Sequence, residues 1–389
     1  MHVPDGFIDA PVSAGTGVVA AAALAVSLRG ARRELGGGPG GAGERTAPLA
    51  GLVAAFIFAV QMLNFPVAAG TSGHLLGGAL AAILVGPYTG VLCVSVVLLL
   101  QGVLFADGGL TALGTNITDM GVVTVLVAYA VFRGLLRVLP RRRSVVTGAS
   151  FVAALVSVPA AAVAFTAIYA LGGTTDVSLG KVFGAMVGVH VLIGIGEAAI
   201  TAATVGAVVA VRPDLVYGAR DRLAAPLELR PSPLSDAGAP GAEPHPADTA
   251  PADTAPADTA PADTAPAAAG RRRSVRPLWI AGLVVTLACA GGLSFYASSD
   301  PDGLEKVAAD NGIDKQAEDH AAQDSPLADY GVEDIADSRL SGGLAGVIGV
   351  GATLVVGSGV FVAVRRRNSA GTPAEAGAST ASGPPATER

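Results

Sequence analysis

The sequence predicts an all-α integral membrane protein, in which a bundle of seven transmembrane helices is joined by a disordered linker to a transmembrane hairpin of two helices. Of the 389 residues, 51% are hydrophobic and only 14% are charged, whereas soluble domains carry about 25% charged residues. The apolar residues are collected into runs long enough to cross a bilayer. Arginine clusters recur at the ends of these runs, which is the pattern that orients membrane helices.

Residues 1–212 are expected to form the first domain, with crossings at 13–28, 47–63, 75–85, 89–105, 120–139, 145–171 and 182–211. The third run is too short to cross alone, because a helix of that length rises about 16 Å against a hydrocarbon core of about 30 Å. The Gly-rich segment before it, residues 64–74, is therefore expected to dip into the membrane as irregular backbone.

The arginine clusters predict one orientation for the whole chain. They follow the first, fifth and seventh crossings, and they flank the two helices of the C-terminal hairpin. Because cationic loops stay in the cytoplasm, the N-terminus of this plasma-membrane protein is expected outside, with the linker and the C-terminus inside.

The remaining chain divides by composition. Residues 213–276 are rich in Pro, Ala, Asp and Thr, with tandem Pro-Ala-Asp-Thr-Ala copies from Pro246 to Ala265, and this predicts a disordered cytoplasmic linker or else an interaction tail. Residues 277–367 contain two apolar runs, 278–296 and 342–364, around an acid-rich outer segment. Residues 368–389 are expected to be a disordered tail.

Several kinds of chemistry find no support in the sequence. There is no phosphate-binding P-loop, so any ATP hydrolysis belongs to other subunits, and no nucleophile-base arrangement indicates an enzyme. The arginine clusters lack the interleaved aromatic residues of nucleic-acid sites, so no nucleic-acid partner is expected. Cys93 and Cys289 lie in apolar runs and are interpreted as buried hydrophobes, not as metal ligands.

The first two residues offer a metal chelate. No basic segment precedes the first apolar run, so Met1 is expected to be the mature terminus and to be retained. Its amine, the deprotonated peptide nitrogen of His2 and the His2 imidazole close adjacent rings around one ion. A fourth nitrogen would complete a planar set, which suits Ni(II), Cu(II) or low-spin Co(II). The alternative is a frayed terminus with an idle histidine.

Five further polar residues lie at or within the predicted membrane. His74, at the inner end of the Gly-rich segment, is the candidate for the fourth ligand, or else it caps the short third helix. His190 and Glu197 share one helix face and are interpreted as second-shell or helix-tying groups, with direct ligation as the alternative. Asp107 and Asn116 are interpreted as acceptors that order a loop, or as second-shell partners of His2 or the amine.

Four separated motifs of residues 1–211 resemble the CbiM/NikM family. They are Met1 to Phe7, Asn64 to Pro66 with Gly70 to Gly78, Gln101 to Gly109 with Asn116, and His190 to Glu197. The second unit resembles the PDGLE domain, a relative of the small CbiN/NikN subunit, through its Pro301 to Glu305 motif.

The resemblance implies the seven-helix substrate-capture (S) component of an energy-coupling-factor (ECF) transporter, a kind of ABC transporter that imports cobalt or nickel for cobalamin synthesis or nickel enzymes. It implies a metal held by Met1, His2 and His74, with the transported Co(II) or Ni(II) as substrate, cobalt being slightly favoured, and no resident cofactor. The implied partners are a transmembrane coupling (T) subunit and cytoplasmic ATPase (A) subunits, besides membrane lipid. The acids Asp302, Glu305 and Asp329 either help to load the ion or form a solvated surface.

Two other functions remain open on the sequence. One is a membrane metal-binding or assembly factor of the cobalamin pathway that does not transport, which neighbouring genes for coupling and ATPase subunits would argue against. The other is a structural membrane protein with an incidental Met-His terminus, which would tolerate an N-terminal tag.

Overall fold

The computed structural model describes residues 1–36, 43–68, 70–223 and 276–369, and these residues are mainly helical. The helices are α1 (Ala10–Leu35), α2 (Gly43–Gln61), α3 (Gly78–Val85), α4 (Pro87–Leu104), α5 (Leu113–Asn116), α6 (Thr124–Val138), α7 (Arg143–Gly172), α8 (Leu179–Val211), α9 (Arg220–Leu223), α10 (Arg276–Gly291), α11 (Gly303–Asn311) and α12 (Ser338–Ser369). The prediction of an all-α membrane protein is confirmed.

Within the described ranges, seven helical segments are long and apolar enough to cross a membrane. They are Ala10–Leu35, Pro87–Leu104, Leu113–Val138, Arg143–Gly172, Leu179–Val211, Arg276–Tyr296 and Ser338–Arg366. The apolar part of α2, Ala47–Gln61, is shorter. Every predicted crossing has a helix at its position, and the third, α3, is as short as its apolar run indicated.

The segment before α3 differs from the prediction. Where irregular backbone was expected, β1 (Phe65–Ala68) pairs antiparallel with β2 (Thr71–Gly73), with a bulge between Pro66 and Ala68. Gly70 lies between the strands with a φ of +71°, a conformation that glycine adopts without the steric cost of a side chain. The hairpin satisfies part of the backbone of this segment and delivers His74 at its end.

The helical segment from Leu113 to Val138 is not a uniform α-helix. Its middle, Ile117–Val123, is π-helical and joins α5 to α6 without a break. The π-helical stretch contains Asp119, which is fully buried and whose carboxylate oxygens have no hydrogen-bond partner among the described residues. Apolar periodicity does not distinguish this winding from an α-helix, so the sequence did not indicate it.

The start of the predicted linker is structured. Two 3-10 turns, Pro213–Leu215 and Tyr217–Ala219, lead into α9. The Arg133 guanidinium donates to the Gly218 carbonyl at 2.8 Å and to the Asp221 carboxylate at 3.0 and 3.1 Å, so these residues pack on α6. The prediction of disorder from residue 213 is wrong up to residue 223, because an arginine on another helix supplies the partners. Residues 224–275 lie outside the described residues, as does the predicted tail beyond Ser369.

The C-terminal hairpin, residues 276–369, packs on the first bundle. Helix α12 lies along α2, where Gly349 approaches the Phe58 ring so closely that a Cβ atom would lie 2.1 Å from its Cζ. A second close contact joins Gly51 of α2 to Ser358, with 2.2 Å between a Cβ built on the glycine and the serine Oγ. Small residues bring membrane helices together in this way. The segment between α10 and α12 is thereby held over the same end of the bundle as the N-terminus.

Candidate metal centre

The N-terminal segment, residues 1–9, is threaded into the protein. Met1, Val3 and Phe7 are all buried, with Met1 only 2% exposed. The Val3 amide donates to Asn116 Oδ1 at 2.8 Å, and the Val3 carbonyl accepts from Asn116 Nδ2 at 3.1 Å and from the Gly109 amide at 2.9 Å. Asn116 therefore pairs with both backbone groups of Val3, and this fixes the depth at which Met1 and His2 lie.

The Met1 amine lies between two side chains. Its nitrogen is 2.6 Å from His74 Nε2 and 2.5 Å from Asp302 Oδ2, and all three residues are buried. The His74 Nδ1 lies 3.1 Å from the Leu75 carbonyl, an acceptor, so Nδ1 carries the proton and Nε2 keeps its lone pair. The unprotonated Nε2 of His74 thus faces the Met1 amine.

The His2 imidazole stacks on that of His74, with ring centroids 5.0 Å apart and an angle of 20° between the planes. His2 Nδ1 is 3.1 Å from Asp107 Oδ1, and Nε2 is 3.2 Å from Gln101 Oε1. The pKa of His2 is lowered to about 4, mainly by burial and also by the charge of the Met1 amine, while the charge of Asp107 opposes the shift. The His2 imidazole is therefore neutral near neutral pH, which is the form that binds metal ions.

Asp302 reaches this cluster from the C-terminal hairpin. It caps α11, because its Oδ1 accepts from the amides of Leu304 and Glu305 at 2.7 and 2.9 Å, while Glu305 Oε2 accepts from the Asp302 amide. Although burial opposes it, the charge and the hydrogen bond of the Met1 amine hold the pKa of Asp302 well below its usual range. Asp302 is therefore an ionised carboxylate beside the amine.

Two further contacts fix the hairpin over the site. The Ser72 amide donates to the Pro301 carbonyl at 2.9 Å, and its hydroxyl donates to the Asp300 carbonyl at 2.7 Å. On the other side, the Tyr330 hydroxyl donates to Asp107 Oδ2 at 2.5 Å and accepts from Gln101 Nε2 at 2.9 Å. Burial and the neighbouring Asp107 raise the pKa of Tyr330, so the phenol keeps its proton.

Glu197 supports the site without touching it. Its carboxylate accepts from the amides of Leu76 and Gly77 at 2.7 and 3.1 Å, two and three residues after His74. His190, two turns earlier on α8, places Nδ1 2.7 Å from the Met186 carbonyl, while its buried Nε2 has no partner in the part of the chain that the structure describes. Glu197 thus ties the segment that carries His74 to α8.

The cluster borders a cavity of about 320 Å³. Its lining includes His2, His74, Asp107, Asp302 and Tyr330. His2, His74 and Asp302 each contribute one donor atom to a group in which all such atoms lie within 4.8 Å of one another. Imidazole and amine nitrogens beside a carboxylate form a donor set suited to a divalent transition-metal ion.

The structure thus brings Met1, His2 and His74 together around one point. Asp107 contacts His2, and Asn116 contacts Val3. His190 and Glu197 contact none of the candidate donor atoms. The sequence reasoning assigned no role to Gln101 or Tyr330, and it left Asp302 undecided. Among the hairpin acids, Asp302 is buried beside the amine, while Glu305 and Asp329 are exposed. The signal for Asp302 was its place ahead of a helix with glutamate three residues later.

Comparison with known proteins finds two family matches in the chain. Residues 2–215 match the family model described as the cobalt uptake substrate-specific transmembrane region, called CbiM, and residues 276–366 match the PDGLE domain. The chain is 41% identical over 217 residues to a putative metal transport protein of Haloquadratum walsbyi, covering 56% of this chain and 94% of that protein.

Two other relatives extend the comparison. A putative fused nickel transport protein, NikMN, of Archaeoglobus fulgidus is 41% identical over 218 residues, covering 56% of this chain and 68% of that protein. The cobalt transport protein CbiM of Geobacter sulfurreducens is 32% identical over 257 residues, with 64% of this chain and 66% of that protein covered. Among solved structures, a truncated transition metal transporter aligns with a TM-score of 0.46 and 27% identity over 53% of this chain and 96% of that chain.

Proposed function

The chain belongs to the CbiM family and is a multi-pass membrane protein fused to a PDGLE domain, and from this premise we propose that it is the metal-capture component of a transporter that imports Co(II) or Ni(II). The observation that carries the proposal is the buried cluster of the Met1 amine with the imidazoles of His2 and His74. Cobalt remains slightly favoured as the transported ion. Because one relative is named for nickel transport and another for cobalt transport, both ions are to be tested.

The proposed ligands are four nitrogens. The Met1 amine, the deprotonated peptide nitrogen of His2 and His2 Nδ1 form chelate rings of five and six atoms. His74 Nε2 is the fourth donor, and its lone pair already faces the amine at 2.6 Å. A planar set of nitrogen donors favours Ni(II), Cu(II) or low-spin Co(II) over the tetrahedral preference of Zn(II).

To bind the metal ion, the Met1 amine must give up its two hydrogen bonds. The amine donates to Asp302 and to His74, so it must lose a proton and turn its lone pair toward the metal. His2 Nδ1 must likewise leave Asp107. The buried setting excludes the water that would otherwise compete for the ion, and the neutral His2 imidazole binds with no net loss of a proton.

The proposal extends to partners that the chain itself does not contain. The sequence has no nucleotide-binding motif, so we expect a transmembrane coupling subunit and cytoplasmic ATPase subunits to move the loaded component and release the ion inside. In this arrangement the metal site faces outward, and the linker and C-terminus face the cytoplasm. A role in cobalamin synthesis or in the supply of nickel enzymes follows from the ion transported.

The test is uptake of radiolabelled Co(II) and Ni(II) by cells that carry the complete transporter. We compare the native protein with His74→Ala and with a variant that has one extra residue before Met1, and we use one extra residue after Arg389 as the matched control. N-terminal sequencing establishes that Met1 is the first residue of the mature protein. Both test changes should abolish uptake, and the control should not.

Two results would contradict the proposal. Uptake that is indifferent to both changes shows that the N-terminal chelate is not used. Binding of the ion by the native protein without uptake, when both partner subunits are present, favours the non-transporting assembly factor instead.

A further inference from the structure

His2, Asp107, Tyr330 and Gln101 form a closed ring of polar contacts. His2 Nδ1 contacts Asp107 Oδ1 at 3.1 Å, and Asp107 Oδ2 accepts from the Tyr330 hydroxyl at 2.5 Å. The Tyr330 oxygen accepts from Gln101 Nε2 at 2.9 Å, and Gln101 Oε1 returns to His2 Nε2 at 3.2 Å. Three members belong to the first domain, and Tyr330 alone among them comes from the C-terminal hairpin.

The direction of each hydrogen bond in the ring follows from its chemistry. An ionised carboxylate only accepts, so the Tyr330 hydroxyl must donate its single proton to Asp107. The Tyr330 oxygen is then available only as an acceptor, and the group of Gln101 that faces it must be the amide NH2. The carbonyl oxygen of Gln101 therefore faces His2 Nε2, and a hydrogen bond there requires the proton on Nε2.

This orientation selects one form of the His2 ring. A neutral imidazole carries one proton, and a chelate that includes the amine and the His2 peptide nitrogen closes a ring of six atoms only through Nδ1. Metal binding at Nδ1 therefore needs the proton on Nε2, where the Gln101 carbonyl accepts it. In the metal-free structure Asp107 Oδ1 lies 3.1 Å from Nδ1 and competes for the same proton, and metal binding at Nδ1 leaves that proton on Nε2.

We propose that Tyr330 is a positioning residue, which fixes the orientation of Gln101 so that His2 presents Nδ1 to the incoming divalent ion. The inference rests on the proposed function and deepens it, because it assigns to the C-terminal hairpin a defined action on one ligand. Hydrogen-bond partners of a metal-bound histidine fix its tautomer and its ring orientation, and they contribute to metal affinity.

The backbone at Tyr330 agrees with a positioning role. Asp329 and Tyr330 have φ values of +52° and +55°, in the left-handed region that residues other than glycine seldom adopt. The Asp329 amide donates to the Phe105 carbonyl at 2.9 Å, and the Tyr330 ring stacks on the Phe105 ring with centroids 4.9 Å apart. Such backbone persists where surrounding contacts hold it, and it is enriched at functional sites.

The test measures Ni(II) and Co(II) affinity of the purified full-length protein. Tyr330→Phe keeps the aromatic stack but frees Gln101 to turn its NH2 group toward Nε2, so the affinity should fall about 10- to 100-fold. The double variant Gln101→Glu/Tyr330→Phe offers only acceptor oxygens to Nε2 and should recover most of the affinity. Tyr296→Phe, at an exposed tyrosine of the same hairpin, should bind like the native protein.

A second readout reports the tautomer itself. In protein labelled with ¹⁵N-histidine and loaded with diamagnetic Ni(II), His2 should show a protonated Nε2 and a coordinated Nδ1. Native affinity in Tyr330→Phe, no recovery in the double variant, or coordination through Nε2 would each overturn the inference. A native protein that binds neither ion would instead contradict the proposed function, so the two failures are distinguishable.

Discussion

The Met1 amine and the Asp302 carboxylate form a buried ion pair with 2.5 Å between nitrogen and oxygen, although the residues are 301 positions apart in the chain. The pair joins the segment matched by the CbiM family to the segment matched by the PDGLE domain. Because both charges are removed from water, each depends on the other for compensation.

Asp302→Asn should therefore destabilise the metal-free protein. Removing one partner of a buried ion pair costs about 3–5 kcal/mol, because the other charge is left uncompensated. Asparagine is as good a helix N-cap as aspartate, so α11 should persist. The decrease in the free energy of unfolding should therefore come from the lost charge alone. Thermal unfolding in detergent measures the effect.

Asp300→Asn is the matched control, since Asp300 is exposed and contacts the site region through its backbone carbonyl. It should unfold at the native temperature. Equal unfolding temperatures for native protein and Asp302→Asn would show that the amine finds another partner and that the pair contributes little.

Glu197→Gln should weaken both stability and metal affinity. Glutamine can accept from only one of the two amides of Leu76 and Gly77, and its NH2 group would face the other. Loss of a hydrogen bond to a charged group costs about 1.5–3 kcal/mol. Because these amides lie two and three residues after His74, we expect a less firmly held His74 and metal affinity lower by about 10-fold.

The control on the same helix is Thr201→Val. Thr201 is fully buried, and its hydroxyl has no partner within the described ranges, so the change should leave stability unchanged or raise it. If Glu197→Gln lowers stability but binds Ni(II) like the native protein, the coupling from Glu197 to His74 is absent.

Gly6→Ala should displace the C-terminal hairpin, residues 276–369, from the N-terminal segment. Gly6 has a φ of +85°, and a Cβ atom there would lie 2.1 Å from the Gln316 carbonyl oxygen. Gly70→Ala separates the two effects, since Gly70 also has a positive φ, +71°, but a Cβ atom would meet nothing within 4 Å. The left-handed conformation costs about 1–2 kcal/mol in either variant.

The stability that Gly6→Ala loses beyond Gly70→Ala then measures the contact of Gly6 with the C-terminal hairpin. Limited proteolysis between α11 and α12 and thermal unfolding should both show a larger effect for Gly6→Ala than for Gly70→Ala. Identical behaviour of the two variants would mean that the Gln316 backbone moves aside at no cost.

Metal affinity should decrease as the pH falls, because protons compete with the ion for its nitrogen ligands. The pKa of His2 is lowered to about 4, so His2 is already neutral near neutral pH and does not supply the displaced protons there. They should come from the Met1 amine and the His2 peptide nitrogen. Calorimetry in buffers of different ionisation enthalpy measures the proton release, and an affinity independent of pH would contradict the proposed ligands.

The fold was accessible from the sequence to the extent that it depends on hydropathy and charge. Runs of apolar residues predicted each crossing, including the short α3. The β1–β2 hairpin, the π-helical stretch and α9 were not predicted. Each depends on a local backbone choice or on a partner elsewhere in the fold, as with Arg133 and Gly218, and composition does not reveal these.

The candidate site divides in the same way. Met1 and His2 were recognised because a chelate of adjacent residues needs no tertiary contact, and His74 because an ionisable group in a membrane segment is costly. Asp302 lies in an acidic stretch, where a buried carboxylate and a solvated one look alike in sequence. The role of Tyr330 depends on hydrogen bonds with residues more than 200 positions away.

Met1 is also translated before Asp302 and Tyr330, since both lie far later in the chain. The Met1 amine is therefore synthesised long before Asp302, its ion-pair partner. Until Asp302 and Tyr330 have been added, the cavity lacks two of the side chains that line it. Closure waits until translation has passed Tyr330. A chain that stops before Asp302 lacks both side chains, and its Met1 amine and Asp107 are left without these partners.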